Sequence, residues 1–238
     1  MTFSFTGAAY LIGFFAIGLL AYRFFQYWRR EKTTVAKGFF WFAIIFALFM
    51  LVTAIAGLFF ADSTQVLKAT VISAAFIQSF GFATVAYLII YLKLPKISPW
   101  VGFSLVLFLG LLATVLTTII PFNPYLEPSG GINWDIQPVA DIFRFFLFII
   151  TFLPFGFLIV QQAKSSKDPA VRARSIGIGL VLGFGVMVGL LDFFLETILQ
   201  LGATSSDIAM AILSFIVLIV IFLTQKPPSP TYVTKIHD

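Results

Sequence analysis

The chain contains no cysteine, which excludes disulfides, thiolate metal ligands and thiol nucleophiles and leaves no redox compartment to be read. Histidine is almost as scarce: the one residue, His237, stands in the tail, so haem ligation and zinc-dependent membrane chemistry lack their ligands. Charge is the third scarcity. Asp, Glu, Lys and Arg make up 11% of the residues and 60% are hydrophobic, whereas a soluble domain carries about 25% charge. A folded chain of this size still exposes roughly a quarter of its unfolded surface and needs polar groups to cover it. Lipid, not water, is therefore the expected solvent of this surface. No nucleophile–base pair is visible, and the sequence reads as a non-enzyme with no cofactor and no metal.

What is present is apolar length. About 20 apolar residues at about 1.5 Å rise each cross some 30 Å of hydrocarbon. Seven such spans are predicted, near 3–25, 38–60, 67–92, 98–120, 139–162, 174–198 and 207–225, separated by charged or Pro/Gly-containing breaks. The first is too long and lacks the basic leader of a cleavable signal peptide. The fold expected is an all-α integral membrane protein, a seven-transmembrane-helix bundle over 1–225 with a cytoplasmic tail at 226–238. Of the 15 Lys and Arg, all but Lys68 and Arg144 fall on one side, in the loops around Arg29, Lys93, Lys164 and Arg172 and in the tail. Basic loops stay in the cytoplasm, which places the amino terminus outside and the carboxyl terminus inside a cell membrane. The net charge of +5 then answers to topology and anionic lipid headgroups rather than to nucleic acid.

The longest connection, 121–138, lies on the outer side. Its prolines and the Gly130-Gly131 pair exclude a regular helix, while Ile132, Trp134 and Ile136 alternate with Asn133 and Asp135 as in one arm of a hairpin turned at Ser129-Gly130-Gly131. Two readings stand side by side: a binding loop with Trp134 toward a ligand, or a compact cap with Trp134 anchored in the interface.

Within the spans, Gly179 with Gly183 and Gly185 with Gly189 form small-xxx-small pairs on helix 6, and Ala75, Ser79, Ala83 and Ala86 offer a similar face on helix 3. Such pairs let helix backbones approach in lipid, so helices 3 and 6 are expected near the centre of the bundle. Pro154 removes a backbone bond midway along helix 5 and is the candidate kink or hinge. Intrahelical Ser and Thr are expected to bond their own helix, and the 31 phenylalanines to serve mainly as lipid-facing bulk.

Three ionisable residues fall inside the spans: Arg144 on helix 5, and Asp192 and Glu196 one turn apart on helix 6. Such a charge costs about 2.5–3.5 kcal/mol at a helix centre, less toward the interface. The helix dipole also disfavours acids near a carboxyl-terminal end. An outward-facing polar cluster follows, of Arg144 with Asp192 and Glu196, extended by Asp141 one turn earlier and by Gln78 on helix 3. An arginine fork holding one carboxylate keeps donors for a second anion, so a small anionic ligand from outside is one reading. An interhelical ion pair without a ligand is the other, and proton sensing by two close carboxylates a third.

The stretch Arg172-Ala-Arg174 followed by the glycine-rich run to Gly189-Leu-Leu-Asp192 resembles the penultimate helix of the seven-helix membrane sensor regions that precede bacterial histidine kinases. The hydrophobic layout resembles them over nearly the whole chain. That resemblance implies sensing and relay to a cytoplasmic domain. Here the chain ends at Asp238, shortly after helix 7, so output is expected to need a separate cytoplasmic or membrane partner. The function read from the sequence is a receptor-like, sensory or scaffold protein. The alternative is a small-solute transporter that moves on Pro154 and the helix 6 glycines.

Overall fold

The computed structural model describes residues 4–199 and 203–224, leaving out the side chains of Ala170, Asp192, Glu196 and Thr197. The predicted tail at 226–238 lies outside the described residues. Seven helices cross the molecule: α1 (Phe5–Glu31), α2 (Thr34–Phe59), α3 (Thr64–Lys93), α4 (Pro99–Ile119), α5 (Pro138–Ser165), α6 (Pro169–Asp192) and α7 (Ala203–Thr224). Each lies in a segment long and apolar enough to span a bilayer, which makes this a multi-pass, all-α membrane protein.

Local chemistry sets the helix starts. The hydroxyls of Ser4, Thr33 and Ser63 accept from the amides of Gly7, Ala36 and Val66, satisfying donors that have no partner within the first turn. Pro99 and Pro138 open α4 and α5, where a missing amide costs nothing. Lys32 turns the chain between α1 and α2 in the left-handed region at φ 52°. The charged stretch expected as a loop, Arg29 to Glu31, is thus the last turn of α1, its arginines facing the negative end of the helix dipole.

The helices form a ring in which α1 lies between α2 and α7, and α6 between α5 and α7. Helix α3 packs against α2, α4 and α5. The expectation of a central α3 holds: Ala75, Ser79, Ala83 and Ala86 are all buried. The matching expectation for α6 does not. Its main neighbours are α5 and α7, and a Cβ built on Gly183 or Gly185 meets no atom within 4 Å. Of the four glycines, Gly179 makes only ordinary contacts, with Val160 and Ile159, and Gly189 alone is crowded, by Phe148. The close backbone approaches lie elsewhere. A Cβ on Gly7 would stand 2.6 Å from the Leu58 amide nitrogen, and one on Gly110 2.6 Å from the Ser79 side chain. Small residues are thus used where α1 meets α2 and α3 meets α4.

Two further features concern α5 and α6. Pro154 lies within a helix that continues on both sides of it, and its ring is exposed. After Asp192 the helix widens into a π-helical segment, Phe193–Ile198, and the Leu199 amide bonds the Phe194 carbonyl five residues back. The sequence reading took 192–196 as ordinary α-helix; π-helical segments occur mostly as short insertions, frequently at functional sites.

The hairpin is present. Tyr125–Leu126 (β1) pairs antiparallel with Ile132–Asn133 (β2), and Gly130 takes φ +89° at the turn, which a side chain would resist. Trp134 packs with Leu126 against a small cluster of Ala56, Ala61, Leu67 and Ile132, so it belongs to a compact cap.

Candidate functional site

The centre of the ring holds a partly open cavity of about 270 Å³, lined by every helix except α4. Its volume is just under the usual range of about 300–1,000 Å³ for small-molecule sites. Toward the end nearer the hairpin stand Asp141 and Arg144 from the start of α5, and Gln78 stands near the middle of α3. Tyr10 of α1 and Ser214 of α7 complete the polar lining. The rest of the wall is dominated by phenylalanine, with Phe46, Phe82, Phe148 and Phe152 in mutual ring contact. The expectation that phenylalanine is chiefly lipid-facing holds for residues such as Phe108 and Phe157, and fails for this interior set.

Arg144 reaches the cavity because it lies about one and a half turns into α5, on the face that also carries Asp141 and Phe148. Its guanidinium stands 3.8 Å from the Asp141 carboxylate, with the two side chains 17% and 26% exposed. This contact runs along one helix, from i to i+3, and does not dock one helix on another. At 3.8 Å it is looser than the 2.7–2.9 Å or so of a charge-assisted hydrogen bond, so among the described residues the fork retains directed donors.

The predicted site residues thus divide. Arg144, Asp141 and Gln78 come together on one cavity, as do Gly185 and Gly189 on the adjoining wall of α6. The side chains of Asp192 and Glu196 lie outside the described residues, though the backbone that carries them adjoins Phe193, which stacks on Phe145 at 4.4 Å and lines the cavity. Trp134 does not contribute to the wall, and neither does any other residue of 121–138, so the reading of Trp134 as turned toward a ligand is corrected to the compact cap. The loop is fastened to the helix ends instead.

That fastening uses an acid that sequence reasoning passed over. Asp207, 5% exposed, accepts a hydrogen bond from the Thr6 hydroxyl at 2.5 Å, and Thr6 in turn accepts from the Ile132 amide at 2.7 Å. The Phe5 amide donates to the Gly130 carbonyl, Thr204 donates to the Ser129 hydroxyl, and Glu127 receives the Ala203 amide at the positive end of α7. The predicted span 207–225 begins at Asp207, which places it in the sequence as a boundary charge. Its signal would have been an acid four residues inside a helix that starts at Ala203.

At the opposite end Arg174 has structural partners. Arg174 lies 4.6 Å over the Tyr27 ring and 3.9 Å from Glu31, tying α6 to α1, while Lys93 donates to Gln161. Thr53, Ser79, Thr84, Thr114, Thr117 and Thr118 bond carbonyls four residues back, as expected of hydroxyls in helices. Among the described residues no three His, Cys, Asp or Glu side chains stand close enough to share a metal ion.

Comparison of the chain with protein-family models finds no match, and comparison with curated protein sequences finds none.

Proposed function

We propose that this membrane protein is a receptor-like sensor whose ligand occupies the central cavity and whose output passes through its basic end to a separate partner. The observation that carries the reading is the one-sided shape of the cavity. Its charged groups lie toward the hairpin, and one turn beyond its floor toward the basic end Leu20, Phe155 and Ile221 are packed with almost no exposure. A site with a sealed floor suits binding and report better than passage. With the basic loops in the cytoplasm, the polar end faces outward and the relay runs inward.

The relay is tested by filling the cavity without a ligand. Gly185 lines the wall and has open space where a side chain would begin, so Gly185→Leu occupies the cavity without a backbone clash. Hydrogen exchange in lipid nanodiscs is expected to change in the basic loops 93–98 and 164–168. A change confined to α6 and its immediate neighbours overturns the relay. Transport of a small solute is the second reading, favoured by the open space beside Gly183 and Gly156. Solute accumulation in proteoliposomes that disappears in Arg144→Ala establishes it instead.

A further inference from the structure

We infer that the cavity binds a single-chain amphipathic monoanion, its carboxylate on Arg144 and its apolar chain among the phenylalanines below. The inference rests on the reading of the cavity as a ligand site and adds the chemical class of the ligand.

Three features select this class. The first is the gradient of polarity. Asp141 and Arg144 occupy one end, and from Arg144 to Phe152 the wall of α5 descends eight residues, about 12 Å at 1.5 Å per residue, with only aromatic groups facing the cavity. A ligand polar at both ends would strand one end against phenylalanine without a hydrogen bond. The second is charge. Among the described residues a neutral headgroup leaves the guanidinium with only a 3.8 Å contact to Asp141, whereas a carboxylate takes its fork bidentately. Asp141 beside it repels a second negative charge, which disfavours a phosphate dianion, and Arg144 repels an organic cation that the aromatic wall would otherwise attract. The third is size. A volume of about 270 Å³ accommodates one chain of moderate length and not a two-chain lipid.

The test is equilibrium binding of radiolabelled hexanoate, octanoate and decanoate to the full chain in phosphatidylcholine nanodiscs, with empty discs subtracted. Octanol and octyltrimethylammonium serve as neutral and cationic probes. Affinity for the carboxylates is expected to rise about fourfold per methylene, the value of burying one CH₂, until the chain outgrows the cavity. Arg144→Gln is expected to reduce octanoate binding at least tenfold and to leave the weaker octanol binding unchanged. Gly185→Leu is expected to abolish both, while Gly183→Leu, which does not line the cavity, retains both.

Saturable octanol or ammonium binding that Gly185→Leu removes, without preference for octanoate, overturns the anion and leaves the cavity a ligand site. Carboxylate binding that survives both Arg144→Gln and Gly185→Leu places the acid elsewhere and overturns the assignment. No binding of any probe above empty discs overturns it as well, while the hydrogen-exchange response to Gly185→Leu still decides the sensor reading independently. Phosphatidylglycerol added to the disc is expected to leave octanoate binding unchanged. Displacement by it overturns the single-chain acid in favour of a membrane lipid.

Discussion

Thr6 is a small side chain with an outsized structural task, because its one hydroxyl donates to Asp207 and accepts from the Ile132 amide. Thr6→Val keeps the shape and removes both bonds, so the buried Asp207 carboxylate and the buried Ile132 amide each lose one hydrogen bond. A lost bond to a buried group costs about 1–3 kcal/mol, so unfolding in mixed micelles is expected to show a loss of that size. Adding Asp207→Asn is expected to cost less in the Thr6→Val background than in the parent, with a coupling of about 0.5–3 kcal/mol. Additivity of the two changes would show that the bond contributes nothing. The sequence exposed Arg144 because it is a charge surrounded by Phe143, Phe145 and Phe146, and it hid Asp207 because an acid at the edge of an apolar run looks the same as one in a loop. Only the fold, which brings Thr6 to it across 201 positions, tells them apart.

Between helices, glycine has two opposite uses. Gly7 and Gly57 stand where α1 and α2 touch backbone to backbone, and a methyl group on either would lie within 2.8 Å of the other helix's main chain. Gly183 faces open space. Gly57→Ala is therefore expected to destabilise the protein by about 1–3 kcal/mol through overpacking. Gly183→Ala is expected to be neutral or to stabilise by up to about 1 kcal/mol, the gain of Ala over Gly in a helix. Equal effects of the two substitutions in the same unfolding assay contradict this division. All seven spans and the hairpin were legible, since run length, capping residues and the Gly130 turn are local signals. The partner of each helix was not. In water an apolar stripe points to the core, but in lipid both faces are apolar, and a small-xxx-small pattern on α6 looks the same whether a helix or a void lies opposite.

At the scale of the whole molecule, the absence of cysteine allows the orientation to be measured directly. Pro128, exposed on the hairpin, and Lys167, exposed between α5 and α6, lie at opposite ends of the ring. Single cysteines at these positions are expected to differ toward a membrane-impermeant maleimide applied to intact cells: Pro128→Cys labelled, Lys167→Cys labelled only after lysis. The reverse pattern would turn the cavity toward the cytoplasm and its sealed floor outward. Either way the ring keeps one architecture, with α3 packed on three neighbours and α1 meeting α7 to close the circle.

That closure sets an order in time. Thr6 is made early and Asp207 is 201 residues later, so at a synthesis rate of about 5–20 residues per second the first waits roughly 10–40 s for the second. Throughout that interval the amino-terminal end of α1 lacks its buried partner, the hairpin lacks the α7 side of its fastening, and the cavity lacks the wall that carries Met210, Ser214 and Val217. The nascent bundle is an open trough facing its own bilayer, and the site comes into being with the insertion of its seventh helix.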